Sequence, residues 1–245
     1  MKCLILAAGY ATRLYPLTEN FPKPLLEVQG KTIIDWLLDD IVNSNDINDI
    51  IVVTNNKYLF NFTEWAKESI YKIRVVNDGT NTNANRLGAI KDIQYTIEQL
   101  NIQDDLLIIA GDNLLDFSLA SFIRYSHEKG TSCIMRYYEE NYNKLKKCGV
   151  VQIDDSDKIL DMHEKPANPA SNWATPPFYY IIENDIERIS DAIRDGCNVD
   201  APGSYIEWLC KRSPVYAMEM PGNRYDIGNL VDYQRIQSVY RGVAI

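Results

Sequence analysis

Along the first 110 positions, short runs of consecutive apolar residues alternate with stretches where apolar residues return every three or four positions. The runs are Cys3–Ala8 (CLILAA), Ile50–Val53 (IIVV), Ile73–Val76 (IRVV) and Leu106–Ala110 (LLIIA). They are about five residues long and mostly lack the alternation of a strand with one wet face, which predicts buried strands. Thr32–Val42 carries Ile33, Ile34, Leu37, Leu38 and Ile41 on one helical stripe. Helices are also predicted over Leu59–Ile70 and Arg86–Leu100. Buried strands separated by amphipathic helices imply an α/β fold whose central sheet is mostly parallel, with helices on both faces. Ligands bind such sheets at the carboxyl ends of the strands. Gly9–Arg13 and Gly111–Asn113 follow the first and fourth predicted strands, so the two turns are expected to converge.

The second half is looser. Thr131–Tyr138, Gly149–Ile153, Phe178–Ile182 and Val215–Met218 are predicted strands, and Leu119–Lys129, Asp185–Arg194, Ser204–Lys211 and Leu230–Arg241 predicted helices. Pro166, Pro169, Pro176 and Pro177 bracket a stretch expected to hold no regular structure. No repeat, low-complexity tract or linker divides the 245 residues. The simplest organisation is one domain, 1–245, with a lobe added for a second substrate.

A net charge of −9 argues against a general nucleic-acid surface or an anionic membrane partner, and makes any local cluster of positive charge more informative. Five scattered cysteines with no CxxC spacing argue against a structural zinc site and a disulfide framework, and fit a reducing compartment. The apolar run after Lys2 is too short for a secretory leader, and no stretch approaches the roughly 20 apolar residues of a membrane span. The expected location is the cytoplasm.

The candidate chemistry starts at the first strand. A buried strand opening into Gly9-Tyr10-Ala11-Thr12-Arg13 leaves backbone N–H groups pointing outward, and phosphate oxygens are natural acceptors for them. Arg13 offers a bidentate contact to phosphate, and Lys23 is a point charge fixed between Pro22 and Pro24. Neither common phosphate fingerprint is present: GxxxxGK[ST] is missing, and Ala11 and Leu14 stand where GxGxxG needs glycines. The bland readings are a small-residue turn, a solvated lysine, a turn at Asp112, a helix cap at Asp226 and a surface pair at Glu164-Lys165. His127 and His163 are the only histidines and suggest no nucleophile or base.

The segment from Leu6 to Leu25, LAAGYATRLYPLTENFPKPL, is long and specific, and it resembles the signature of the sugar-phosphate nucleotidyltransferases, the NDP-sugar pyrophosphorylases. Later segments fit in order: Ala110-Gly111-Asp112-Asn113 is similar to the family's metal-binding GD motif, and Cys148-Gly149-Val150-Val151 to its YGVV strand. Glu164-Lys165-Pro166 is similar to EKP, and Tyr225-Asp226-Ile227-Gly228 to the segment carrying the second metal aspartate. The resemblance covers essentially the whole chain. It implies a three-layer αβα Rossmann-like nucleotidyltransferase fold, with a nucleotide half over about 1–115 and an acceptor half over about 116–245. It further implies that Arg13 and Lys23 bind the triphosphate and stabilise departing pyrophosphate, and that Leu6, Ala8, Gly9, Thr12, Asn77 and Gly88 complete the nucleotide site. Asp112 and Asp226 would hold one Mg²⁺. Lys165 would grip the sugar phosphate, with Asn113, Gly149, Glu164 and Arg224 lining the acceptor pocket.

The chain departs from the family pattern in three places. Ala11 stands where glycine is usual, so the loop is expected to adopt a conformation that alanine tolerates. Residues 77–88 (NDGTNTNANRLG) lack the Gln and Gly-Leu of thymidylyl- and uridylyl-type enzymes and are closer to some cytidylyltransferases, which leaves the base open. Arg224 replaces a Trp common in hexose enzymes and favours an anionic or strongly polar acceptor group. Nothing follows the helix predicted to end near Tyr240, so the hexapeptide β-helix that some members append is not expected. The implied reaction is NTP plus sugar 1-phosphate giving NDP-sugar and pyrophosphate, with glucose 1-phosphate and a thymidylyl or uridylyl donor favoured by Gly111-Asp112-Asn113. A cytidylyltransferase for a sugar phosphate or phospho-alcohol is the alternative. A non-catalytic nucleotide-sugar-binding subunit is the rival from another class, and a homo-oligomer is left open.

Overall fold

The computed structural model describes residues 1–42 and 46–243. The chain forms two compact units that interleave along the sequence: Met1–Arg86, Ala110–Ala120 and Pro221–Ile245 make the first, and Leu87–Ile109 and Ser121–Met220 the second. A division near residue 115, the reading from sequence, does not follow these units. The physical reason is a two-stranded ribbon: Asn113–Leu115 pairs antiparallel with Arg224–Asp226, tying both later segments into the first unit.

The first unit holds three parallel strands in the spatial order Lys2–Leu6, Asp49–Thr54, Ile73–Asn77. The runs of Lys2–Leu6 and Asp49–Thr54 are buried almost without interruption, as strands covered on both faces must be, while Ile73–Asn77 at the end of the order buries only Val76. Helix Ile33–Val42 buries the predicted stripe of Ile33, Ile34, Leu37, Leu38 and Ile41. Each such side chain removed from water contributes about 1.5–3 kcal/mol before the entropy of ordering it is counted. A second apolar cluster joins the start of the chain to its end: Leu14, Leu26, Val28 and Ile33 pack with Leu114, Ile227, Ile236 and Tyr240. Trp36 donates through Nε1 to the Val28 carbonyl (2.9 Å) and meets Tyr240 edge-on, while the Tyr240 hydroxyl donates to the Leu115 carbonyl (2.8 Å). These anchors position the ribbon.

The second unit is built differently. Its strands run antiparallel in the order Ile159–Glu164, Gly149–Ile153, Trp173–Thr175, Cys133–Tyr138, Phe178–Ile181 and Leu106–Ala110, with Tyr216–Glu219 added parallel to Cys133–Tyr138. The mixed sheet character expected from sequence is thus distributed by unit. The proline-bracketed stretch does contain a strand, Trp173–Thr175, because Pro169 and Pro176 fall outside its three residues. The helix predicted over Asp185–Arg194 is two short helices, Glu183–Ile186 and Ile189–Arg194. Among the described residues no helix is long and apolar enough to cross a membrane.

Candidate active site

Strand Lys2–Leu6 delivers the signature loop. Its backbone is held from behind: Asn55 donates through Nδ2 to the Ala8 carbonyl (2.8 Å), and the buried Tyr58 hydroxyl donates to the carbonyls of Thr18 (2.6 Å) and Tyr10 (3.3 Å). The Tyr10 hydroxyl meets Thr80 Oγ1 at 3.1 Å. Asn55 and Tyr58 were not singled out from sequence, although Asn55 follows a buried strand at its carboxyl end, where such positions face the site. With the carbonyl side occupied, the N–H groups of Gly9, Ala11, Thr12 and Arg13 find no acceptor among the described residues. Gly9 is exposed, and a methyl there would meet nothing within 4 Å. The loop is an open array of donors suited to an anion. Arg13 is exposed beside it in the turn Thr12–Leu14.

Ala11 lies at φ 45°, ψ 40°, the left-handed conformation that glycine adopts without cost. The loop thus keeps a glycine-type conformation with alanine in place. Thr18 donates to the Ala11 carbonyl (2.7 Å) and Leu14 N–H to the same oxygen (2.9 Å), which holds the alanine there.

Gly111 brings the second turn against the first strand. Its N–H donates to the Leu6 carbonyl (3.0 Å), and a Cβ at this position would stand 2.8 Å from Ile5 Cγ2 and 3.6 Å from Pro24. That close approach sets Asp112 beside Lys23. Lys23 Nζ lies 2.7 Å from Asp112 Oδ2 and 3.6 Å from Asp226 Oδ1, and its side chain is 9% exposed. Burial pushes the Asp112 carboxyl up, but Lys23 and Arg224 outweigh it and hold the group below the ordinary carboxylate range. Asp226 reaches the same ammonium from the ribbon, directly opposite Asn113. One positive charge thus already stands between two carboxylates. A hard cation of the Mg²⁺ kind fits this donor set, since it takes one or two carboxylates and fills its remaining positions with water and phosphate oxygens. Among the described residues no group of three or more His, Cys, Asp and Glu side chains could hold a metal ion by itself.

Asn113, expected in the acceptor pocket, is 1% exposed and fully engaged. Its Nδ2 donates to the Asp112 carboxylate (3.0 Å) and the Ala110 carbonyl (3.2 Å), and its Oδ1 accepts from Arg224 Nη1 (2.6 Å). Asn77, half-buried at the end of its strand, donates to Asn56 Oδ1 (3.0 Å) and accepts from the Gly79 N–H (3.0 Å). Residues 77–82 are tied to the neighbouring strand end by Asn56, whose N–H donates to the Thr80 carbonyl (2.8 Å). Gly88, expected among the nucleotide contacts, has φ 92° and a would-be Cβ 2.7 Å from the Val199 carbonyl oxygen. Close packing of helix Ala89–Leu100 in the second unit is reason enough for that glycine.

The remaining candidates lie together in the second unit. Gly149 pairs with Glu164 and also with Thr175 across three strands. The Glu164 carboxylate sits in a cradle of two glycines: an added Cβ at Gly149 would come 3.0 Å from its Oε2, and one at Gly203 would come 2.1 Å from it. Burial, with a smaller opposing pull from Lys165 and a further push from Glu207, raises the Glu164 carboxyl above its ordinary range. Lys165 follows at φ 50°, its N–H donating to the Cys148 carbonyl (3.1 Å). Its side chain is 55% exposed and stands 4.0 Å from Glu164 Oε1. Gly203 and Glu207 were missed from sequence. Glu207 accepts from the Glu164 N–H (3.0 Å) and frames the same turn.

Residues 2–241 match the model of the family described as Nucleotidyl transferase. The chain is 28% identical to a UTP–glucose-1-phosphate uridylyltransferase of Synechocystis over 98% of its own length and 63% of the relative's. It is 26% identical to a glucose-1-phosphate adenylyltransferase of Fervidobacterium nodosum, covering 94% of this chain and 59% of that protein. A UTP–glucose-1-phosphate uridylyltransferase of Haloferax volcanii is 26% identical over 93% of this chain and 91% of its own length. The chain therefore spans between half and two thirds of several of the relatives it matches. Its fold is that of a UDP-glucose pyrophosphorylase solved with UDP-glucose (TM-score 0.82, 22% identity, 98% of this chain and 97% of that one). It is also that of a CTP:phosphocholine cytidylyltransferase from Streptococcus pneumoniae (TM-score 0.73, 24% identity, 98% and 99%).

Proposed function

The chain belongs to the nucleotidyl transferase family, and from that premise we propose that it joins a nucleoside triphosphate to a sugar 1-phosphate, releasing pyrophosphate and leaving an NDP-sugar. The observation that carries the reading is the cluster of Lys23, Asp112 and Asp226 in the same unit as the donor-rich loop Gly9–Arg13. Such a transfer needs no protein nucleophile, because the acceptor phosphate can attack the α-phosphorus in line. It needs two anions brought together and their repulsion cancelled. The loop N–H groups and Arg13 would take the triphosphate oxygens, and Lys165 would take the phosphate of the sugar. Asp112 and Asp226 would hold Mg²⁺, which when bound neutralises charge on the phosphates. Lys23, which stands between the two carboxylates, would offer its ammonium to the triphosphate.

Glucose 1-phosphate with UTP or dTTP is the favoured pair, because relatives named for UTP and glucose 1-phosphate match nearly the whole chain. The test is a pyrophosphate-release screen of UTP, dTTP, CTP, ATP and GTP against sugar 1-phosphates and phospho-alcohols, with and without Mg²⁺. Release with glucose 1-phosphate and UTP or dTTP is expected, and only with the cation present. Release only with CTP and a phospho-alcohol would move the chain to the cytidylyl alternative. No release with any pair, alongside tight binding of an NDP-sugar, would make it a sensor.

A further inference from the structure

The ribbon places one charged side chain where the transfer reaction does not obviously need it. Strand alternation puts Arg224 and Asp226 on one face of Arg224–Asp226, while Tyr225 between them packs into the apolar cluster behind. Arg224 is therefore held on the side of Asp112 and Asn113. Its Nη1 donates to Asn113 Oδ1 at 2.6 Å, a short charge-assisted bond, and Asn113 Nδ2 donates onward to Asp112 Oδ1 at 3.0 Å. Lys23 occupies the other oxygen, Oδ2, at 2.7 Å. Both oxygens of Asp112 thus carry a donor, and the plane of the carboxylate is fixed from both sides.

The link through Asn113 is directional. A primary amide has one accepting and one donating end, and Asn113 is too buried to exchange either end for water. Turned over, it would set its oxygen against the Asp112 carboxylate and the Ala110 carbonyl, and its NH₂ against the guanidinium. Every one of those contacts is repulsive. The guanidinium is the group that makes only one orientation acceptable, and the orientation it selects aims the amide donors at Asp112. We infer that Arg224 is a positioning residue for Asp112, acting through the side-chain amide of Asn113. The inference rests on the reading of Asp112 as a metal carboxylate.

The charge of Arg224 and its hydrogen bond act on a bound cation in opposite directions, which makes the inference testable by sign. Removing a cation next to a cation site strengthens metal binding, whereas releasing the carboxylate from its fixed orientation weakens it. Mn²⁺ alone, titrated into the purified chain and read as free Mn²⁺ by electron paramagnetic resonance, measures the balance without turnover. Arg224→Met is expected to weaken Mn²⁺ binding about tenfold, the lower end of what loss of a supporting contact costs a metal site. Arg224→Lys, keeping charge and a donor, should recover most of that loss. In an Asn113→Ala background, Arg224→Met should weaken binding no further, since the connection is already gone. Unchanged or tighter binding in Arg224→Met, or equal weakening in both backgrounds, would overturn the inference. Circular dichroism checks the fold, and should Arg224→Met not fold, Arg224→Gln is titrated in its place with the same expectation. Asp112→Asn separates the two levels. If it leaves Mn²⁺ affinity unchanged, the metal reading fails; if it abolishes binding while Arg224→Met does not weaken it, only the positioning role fails.

Discussion

In the first unit the charged side chains of the candidate site are engaged with one another. Lys23 is almost buried between Asp112 and Asp226, and Asn113 and Arg224 complete a closed network. In the second unit the corresponding lysine stands open: Lys165 is more than half exposed, and its neighbour Glu164 is the buried member of the pair. The difference follows from the local frames. Lys23 projects from a turn pinned by Pro22, Pro24 and the approach of Gly111, while Lys165 sits at a left-handed position just after a strand end. A closed network orders its side chains against one another, and the cation proposed for it would have to displace Lys23 from the carboxylates. An exposed lysine needs no rearrangement to meet a phosphate.

The largest effects should come from breaking the closed side. Asp112→Asn or Asp226→Asn is expected to lower kcat by on the order of a hundredfold or more, as loss of a group aimed at developing charge does, with an unchanged circular dichroism spectrum. Near-normal turnover in either variant would remove the metal assignment. On the open side, Lys165→Ala should raise the acceptor KM by roughly 10- to 100-fold, the worth of a hydrogen bond to a charged group. The nucleotide KM should stay within about twofold. An equal rise in both would erase the contrast between the units.

Smaller effects sharpen the comparison within the second unit. Gly203→Ala would drive a methyl to 2.1 Å from Glu164 Oε2, and overpacking of this kind costs about 1–3 kcal/mol. A lowered melting temperature is expected, together with a raised acceptor KM. The smallest effect depends on pH. Because the Glu164 carboxyl is raised in the fold by burial, stability is fully present while the group is protonated in both states and declines as pH rises through its folded range. Glu164→Gln should therefore melt higher than the parent at pH 8 and match it near pH 3. A parent that gains stability over the same rise, relative to the variant, would show the carboxylate to be favourably held instead.

Much of this was readable from local pattern. The helical stripe of Ile33, Ile34, Leu37, Leu38 and Ile41 follows from periodicity, and the strands Leu106–Ala110 and Gly149–Ile153 from short apolar runs. The ribbon does not. Asn113–Leu115 and Arg224–Asp226 are three residues each, too short for a period to register, and the Arg224–Asn113 bond joins positions 111 apart. The pairing of Lys23 with Asp112 spans 89 positions, so sequence could name both groups as participants without showing that they touch. Gly88 and Asn113 show that one residue can answer to two demands. Both sit in segments with a chemical signature, and both are taken up by packing or by the internal network.

The most direct test follows the oxygens. Glucose 1-phosphate labelled with ¹⁸O in its phosphate, incubated with the chain, Mg²⁺ and unlabelled UTP or dTTP, is analysed by mass spectrometry. Direct attack of the acceptor phosphate on the α-phosphorus places all the label in the NDP-sugar, part of it in the new bridging position, and none in pyrophosphate. Label in the pyrophosphate, or no NDP-sugar with either nucleotide, would contradict the reaction proposed for this site.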